Sequence, residues 1–263
     1  MKIISCIKQV PSSSKVDVDP KTGVLIRSSQ ATKMNPYDLY ALEAAFEMKA
    51  MLKNTEICSV TMGPPNAIKV LEEALYMGAD DGVLLSDRAF AGADVLATSY
   101  SLSQVIKSIN NVDVVICGKQ TTDGDTAQVG PEIAEFLGIV HVPYVTEIIE
   151  VTEKYLKVRS LLDTHEEIVK VQFPCLITID KGSFVPRLPS YRRKMEMKDH
   201  PIKVLGLKDL HDQDKLHYGL EGSPTQVEKI FPPDKSRDSE LIHGDKIELS
   251  RKLLQILQDK KFV

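Results

Sequence analysis

The sequence predicts an α/β fold: a doubly wound, mostly parallel sheet with an antiparallel hairpin and an extended C-terminal arm. Three observations predict it. Over the first 140 residues, short apolar runs alternate with segments of helical period. The runs are continuously apolar, as strands buried on both faces of a parallel sheet must be. From Val140 onward, strand-like runs follow one another without helices between them, until the pattern thins beyond Asp180.

The elements follow in order. Ile3 to Gln9 reads as the first strand. Pro36 to Leu52 reads as a helix with Leu39, Leu42 and Phe46 on one face; Asn35 takes the N-cap and Pro36 the first helical position, where its missing N–H costs nothing. Glu56 to Met62 is the next strand. A helix from about Asn66 to Met77 carries Ile68, Leu71 and Leu75 on one stripe, and Gly78 ends it. Then come the strand Gly82 to Leu85, a helix from about Ala93 to Ile109, the strand Val112 to Cys117, and a short helix opening at Pro131. Thr146 to Val151, Leu156 to Ser160, Glu166 to Val171 and Cys175 to Ile179 read as strands. The alternation in YLKVRS and EEIVKVQ predicts a hairpin, placed here at 146–179. These elements make one α/β domain over 1–182. Beyond it, prolines mix with basic and acidic clusters, and only Asp245 to Lys260 recovers an amphipathic helix. So long an irregular stretch is uncommon in a compact domain unless it serves a partner, so the arm at 201–263 is expected to lie on another chain.

Bulk properties remove several function classes. Hydrophobic residues make up 43% and charged residues 27% of the chain, ordinary for a globular protein, and no apolar run approaches the ~20 residues of a membrane span. The opening MKIISCIKQVP lacks the apolar core and cleavage site of a signal peptide. Net charge is -4 with both signs interspersed, which argues against nucleic acid as a partner. Cys6, Cys58, Cys117 and Cys175 stand singly in apolar runs, with no C-x-x-C pair, as reduced core cysteines do. A cytoplasmic location is expected. The six histidines have no metal-ligand spacing, so no metal is expected.

Chemistry concentrates at the carboxyl ends of the parallel strands, where ligands bind in doubly wound sheets. "TMGPPN" leaves the backbone open at Gly63, and "CGKQTTDGDTAQVGP" sets hydroxyls, carboxylates and amides ahead of a helix start. Main-chain N–H groups at such a start attract anions, so the junction suits a phosphate or diphosphate. Thr122 and Thr126 can bond phosphate oxygens or ribose, and Gln128 can read a polar ring edge. Asp123 and Asp125 would repel phosphate if they faced it, and so are expected to brace the loop or hold a ribose hydroxyl. The competing reading is that these are simply turn residues, although the run exceeds the ~2 to 6 residues usual for such connections. Neither G-x-G-x-x-G nor a Walker A sequence is present, so a phosphate site here would be unorthodox.

Other reactive residues read as structure. Cys117 ends an apolar strand and has no histidine near it in sequence, which places it in the core. His141 and His165 read as loop or hairpin surface groups. The basic row Arg187, Arg192, Arg193, Lys194 and Lys198 brackets Tyr191, Met195 and Met197. Aromatic and thioether groups among cations suit docking to a protein better than solvent.

With these motifs the chain resembles the beta subunit of electron-transfer flavoprotein. The resemblance runs nearly end to end, through "CIKQVPSSSKVDVDPKTGVLIR", "MNPYDLYALEAA", "SVTMGPPNA", "ALYMGADDGVLLSDRAFAGADVLATSYSL", "CGKQTTDGDTAQVGPEIAEFLG", "FPCLITI", "PRLPSYRRKMEMK" and "GLEGSPTQVEKIFPP". Each is weak alone; their order and spacing are specific. The loop "DGDTAQVGPEIA" is closest to that of anaerobic, electron-bifurcating members. The chain departs from the family before Glu167, where Asp163, Thr164 and His165 replace a run of acidic residues and glycine.

The resemblance implies a heterodimer with a larger alpha subunit that carries one FAD. It implies an adenine-nucleotide site on the beta subunit, holding FAD in bifurcating members and AMP in respiratory ones. Carried over, that site is Cys6 and Lys8, Asn35, Met62 and Gly63, then Thr122, Asp123, Gly124, Asp125, Thr126, Ala127, Gln128, Val129 and Gly130. NADH would be the electron donor. Ferredoxin or flavodoxin would take one electron and, through the alpha FAD, an acyl-CoA dehydrogenase or an FAD-linked lactate dehydrogenase the other. The flavins carry the redox chemistry, so no catalytic acid or base is expected here. Residues 183–200 would be the loop that recognises the dehydrogenase, with Arg187, Tyr191, Arg192 and Met195 as contacts and the arm at 201–263 packed on the alpha subunit.

Overall fold

A computed structural model describes residues 1–12, 31–182, 184–227 and 240–263. The family-like motifs that fall within 13–30 and 228–239 lie outside the described residues. The chain divides into a unit over Met1–Gln226 and a second over Val227–Val263.

Among the described residues the first unit is built on a nine-stranded sheet ordered β11-β5-β4-β1-β6-β10-β7-β8-β9, in which β7 is Val140–Val151, β8 Tyr155–Leu161 and β9 Glu166–Gln172. Its parallel body comprises β1 (Lys2–Cys6), β4 (Glu56–Met62), β5 (Asp81–Leu85), β6 (Val114–Gly118) and β10 (Cys175–Ile179), with β11 (Lys203–Leu205) on the β5 edge. Their runs KIISC, EICSVTM, VVICG and CLITI are buried almost throughout, as strands covered on both faces must be. Helices α1 (Pro36–Met51) and α2 (Ile68–Met77) cover one face, where Ile3, Ile57, Ile116 and Ile177 pack with Ala41, Leu42, Leu71 and Leu75. Helices α3 (Val95–Ser108) and α4 (Val129–Leu137) cover the other, over Ile4, Val60, Val115 and Leu176.

β1 lies between β4 and β6. The chain runs outward from β1 through β4 to β5, then returns across the sheet to β6. The topological switch point therefore falls between the carboxyl ends of β1 and β6, the crevice where open α/β sheets bind ligands.

Several expectations are corrected. The first strand stops at Cys6 instead of continuing to Gln9, because the Lys8 N–H donates to the Asp38 carboxylate at 2.7 Å instead of to a ladder partner. Gln9–Pro11 (β2) then pairs antiparallel with Thr32–Met34 (β3) in a separate ribbon. The helix expected at Pro131 begins at Val129, with Pro131 inside its first turn, where no acceptor awaits its absent N–H. The antiparallel set is narrower than 146–179. β7 (Val140–Val151), β8 (Tyr155–Leu161) and β9 (Glu166–Gln172) form it, while β10 inserts in parallel between β6 and β7. Its sequence CLITI is fully buried, with Thr178 its one polar residue, so it belongs in the two-sided interior. β7 serves both modes, pairing in parallel with β10 through Val145 and antiparallel with β8 from Val145 onward.

Beyond Asp180 the chain is more regular than its pattern implied. Tyr191–Met197 forms a short helix, α5, against α2, and β11 extends the sheet. In the second unit, α6 (Lys246–Asp259) opens with a capping box between Asp245 and Glu248 and leaves Ile247, Leu253 and Leu254 exposed. No helix among the described residues is long and apolar enough to cross a membrane.

Candidate functional site

The loop from Lys119 to Gln128 leaves β6 at the switch point and leads into α4. Asn35 organises it from below. Fully buried at the N-cap position of α1, its side chain makes no cap bond to its own helix. Its amide instead donates to the Gln120 carbonyl at 2.9 Å, and its carbonyl oxygen accepts the Thr122 N–H at 3.2 Å. Asn35 N–H donates to the Lys8 carbonyl at 2.8 Å. One interior amide thus ties together the exits of β1 and β6.

Two carboxylates brace the loop. Asp123 accepts from Lys8 Nζ at 2.8 Å, and these bonds, outweighing partial burial, hold its carboxyl below the usual range. Asp125 accepts from the Gln120 side chain, which also reaches Tyr37 Oη at 3.3 Å. Asp125 and Ala127 both adopt φ of 55°, in the left-handed region. Non-glycine residues held there cost on the order of 1 kcal/mol each, so the surrounding bonds impose this loop shape. Lys119 is held outside it, bonded to Asp180 at 3.0 Å and stacked 4.4 Å from the Tyr144 ring centroid.

Two glycines make the crevice possible. A Cβ on Gly118 would sit 2.5 Å from Asp38 Oδ1 and 2.8 Å from Tyr37, and one on Gly130 would sit 2.5 Å from Thr178 Cγ2. Only glycine lets α1 close on β6 and lets α4 start directly on β10. No side chain caps α4, so its first-turn N–H groups are left for solvent or a ligand, beside a loop whose Thr122 to Thr126 and Gln128 are exposed.

The structure joins Lys8, Asn35, Thr122 and Asp123 directly by hydrogen bonds. Cys6 is buried at the end of β1, level with Cys117 of β6; its hydrogen bond and burial push the Cys117 thiol well up, as suits a core thiol. Gly130 is buried beneath the start of α4, and Gly124 packs near Thr121 Oγ1. Met62 and Gly63 stand at the end of β4; Gly63 N–H bonds Leu85 O, and among the described residues no hydrogen bond links either to the loop. Asp38, Gln120 and Thr121 were not singled out in the sequence. Asp38 left a signal, a carboxylate inside the first helical turn next to an apolar stripe.

His141 is a strand residue of β7, not a loop group; burial pushes its imidazole down to about 4. His165 lies in the exposed β8–β9 turn, bonded to Glu167 at 2.9 Å.

The second predicted region divides in two. Arg187 is locked on Glu43 by bonds of 2.7 to 3.2 Å and lies over the Phe46 ring, and Arg193 caps α2 through the Leu75 and Ala79 carbonyls. Arg192 pairs with Glu196 along α5. Arg187 and Arg193 fasten the segment to α1 and α2. Its apolar groups face out: Leu188 is 86% and Tyr191 77% exposed, with Val185 and Met195 beside them.

Strand order, switch-point crevice and uncapped helix start define a doubly wound α/β protein of the kind that takes ligands at the carboxyl edge of its sheet. The electron transfer flavoprotein domain matches residues 22–210. Over its whole length the chain is 41% identical to the whole of the caffeyl-CoA reductase-Etf complex subunit CarD of Acetobacterium woodii, and 41% identical to the whole of the electron transfer flavoprotein subunit beta of Clostridium acetobutylicum. It is also 41% identical to the protein FixA of Azotobacter vinelandii, over 93% of this chain and 89% of that one. The chain belongs to the electron transfer flavoprotein family, a flavin-associated family, among its beta subunits.

Proposed function

We propose that this chain is the beta subunit of a heterodimeric, electron-bifurcating flavoprotein that binds FAD at the switch point. The complex accepts hydride from NADH, passes one electron to ferredoxin or flavodoxin, and passes the other through the alpha-subunit FAD to a partner flavin dehydrogenase. The observation that carries this reading is the uncapped start of α4, with Gly130 packed on Thr178, meeting a loop pinned by Asn35. Backbone N–H groups and a positive helix end beside an exposed polar loop fit a diphosphate.

Within the reading, Gln128, Val129 and Gly130 would hold the phosphates through their amides, and Thr122 and Thr126 would bond ribose or phosphate oxygens. Lys8, Asn35 and Asp123 would keep the loop in register, while Cys6, Met62 and Gly63 line the neighbouring strand ends. FAD supplies hydride acceptance and one-electron delivery when bound. The protein positions it and shapes the local field.

The exposed segment with Leu188, Tyr191 and Met195 is the dehydrogenase-docking surface in this reading; of the expected arm at 201–263, residues 201–226 belong to the first unit, and the part beyond Gln226 packs on the alpha subunit. Among partner dehydrogenases, an acyl-CoA type is favoured over a lactate type because the Acetobacterium relative is named for caffeyl-CoA reductase.

Purified alpha–beta complex tests the reading. Two flavins per pair, both bleached by NADH, are expected. One flavin plus AMP released on denaturation would make the chain a respiratory-type subunit with a structural nucleotide.

A further inference from the structure

Asp38 is an unused titratable group buried beneath this crevice, between the exits of β1 and β6. It stands in the first turn of α1 and is 4% exposed. Its carboxylate accepts the Lys8 N–H from the exit of β1 at 2.7 Å, and its other oxygen lies against the Gly118 main chain at the exit of β6. It therefore bridges the two strand ends that bound the switch point.

The groups around it leave it without an ion-pair partner among the described residues. The Lys8 ammonium is engaged by Asp123, and Lys119 of the loop by Asp180 at the end of β10. β6 brings Cys117, whose thiol is pushed well up by its bond to Cys6 and by burial, while His141 of β7 lies on the α4 face of the sheet beside Thr178, away from Asp38. On β4 the buried polar groups among the described residues are the hydroxyls of Ser59 and Thr61, which carry no charge. Burial pushes the Asp38 carboxyl up to about 7, against the opposing bonds from Asn35 and Lys8. Either protonation state can accept the Lys8 N–H, so the fold accommodates both.

Building on the FAD reading above, we propose that Asp38 is a proton-linked positioning residue: its carboxylate takes up one proton from solvent when a diphosphate enters the crevice, so that two anions never share it. Neutral Asp38 keeps its bond to Lys8 and its contact with Gly118 while removing the repulsion. Asp123, held ionised by Lys8, is not the acceptor. Linkage sets the size of the effect. Each unit by which the ligand raises Asp38 costs up to about tenfold in affinity on the alkaline side, or roughly fivefold between about pH 6 and about pH 8 for one unit.

The test is calorimetric titration of the full-length chain with FAD, whose diphosphate bridge does not titrate in this range, in two buffers of different ionisation enthalpy. Wild type should bind several-fold more weakly at the alkaline end and take up a fraction of a proton, largest near neutrality. Asp38→Asn should bind with flat pH dependence and no uptake. Should that variant fail to fold, infrared difference spectra of wild type serve instead: the carbonyl band of a protonated carboxyl should grow on adding FAD. Binding that is pH-independent, with no proton taken up and no such band, overturns the role of Asp38 while leaving the FAD site standing. Absence of FAD binding at any pH overturns the site itself, and this inference with it.

Discussion

Asn35 gives up the cap it could make for its own helix and spends both ends of its amide on a loop 85 residues away. Cutting it to alanine would remove the interior partner of the half-buried Gln120 carbonyl and of the Thr122 N–H; a buried polar group left unsatisfied costs about 1 to 3 kcal/mol. Because Thr122 is exposed and water can replace its bond, Asn35→Ala is expected to lower unfolding stability by about 1 to 3 kcal/mol in total, read by urea titration. It should also weaken nucleotide retention, because the left-handed conformations of Asp125 and Ala127 relax once the loop is no longer pinned. Unchanged stability together with unchanged nucleotide content would separate Asn35 from the site. Sequence placed Asn35 in the right position and gave it a local role; the long-range role needs the fold, since nothing in 35–38 refers to 120–122.

Among the elements, the segment around α5 separates fastening from display. Arg187 and Arg193 hold it to α1 and α2, while Leu188 and Tyr191 stand outward. Arg187→Ala strips Glu43 of its partner and is expected to destabilise the protein by about 1 to 3 kcal/mol. Tyr191 is 77% exposed, so Tyr191→Ala should leave the melting temperature and flavin content alone and slow electron transfer to the dehydrogenase. Flavin loss in Tyr191→Ala would refute the docking role.

The chain from Leu207 to Ser223 lies over α3 and is clasped there by Asp212. Its carboxylate accepts from Tyr100 Oη and bonds His217 Nδ1, each at 2.5 Å. The bond to Asp212 raises His217 above 6.5. A group raised on folding contributes fully below its unfolded value and loses that contribution as pH climbs through its folded one. Amides around His217 should thus be better protected at about pH 6 than at about pH 8, once intrinsic exchange rates are corrected. Buried Tyr218 confines the loosening to the clasp.

For the whole molecule, the sheet and its two helical layers account for the core of the first unit, and α6 belongs to the second. A chain ending at Gln226 is expected to keep a cooperative unfolding transition, because every core residue named above lies within it. If the arm packs on the alpha subunit, the same truncation should abolish co-purification of that subunit. A truncated chain that still assembles would move the interface elsewhere.

Continuous apolar runs such as VVICG and helical stripes such as Ile68, Leu71 and Leu75 announced a parallel α/β sheet, and the crowd of small polar residues after Cys117 announced where its chemistry lies. Those features are local, written in composition and period. That Cys175–Ile179 slots between β6 and β7, that Lys8 leaves the ladder to bond Asp38, and that Gly118 and Gly130 are fixed by Asp38 and Thr178 could be decided only in three dimensions. Strand order and the burial of a charge depend on which distant surfaces meet, and no short window of sequence contains both sides of such a contact.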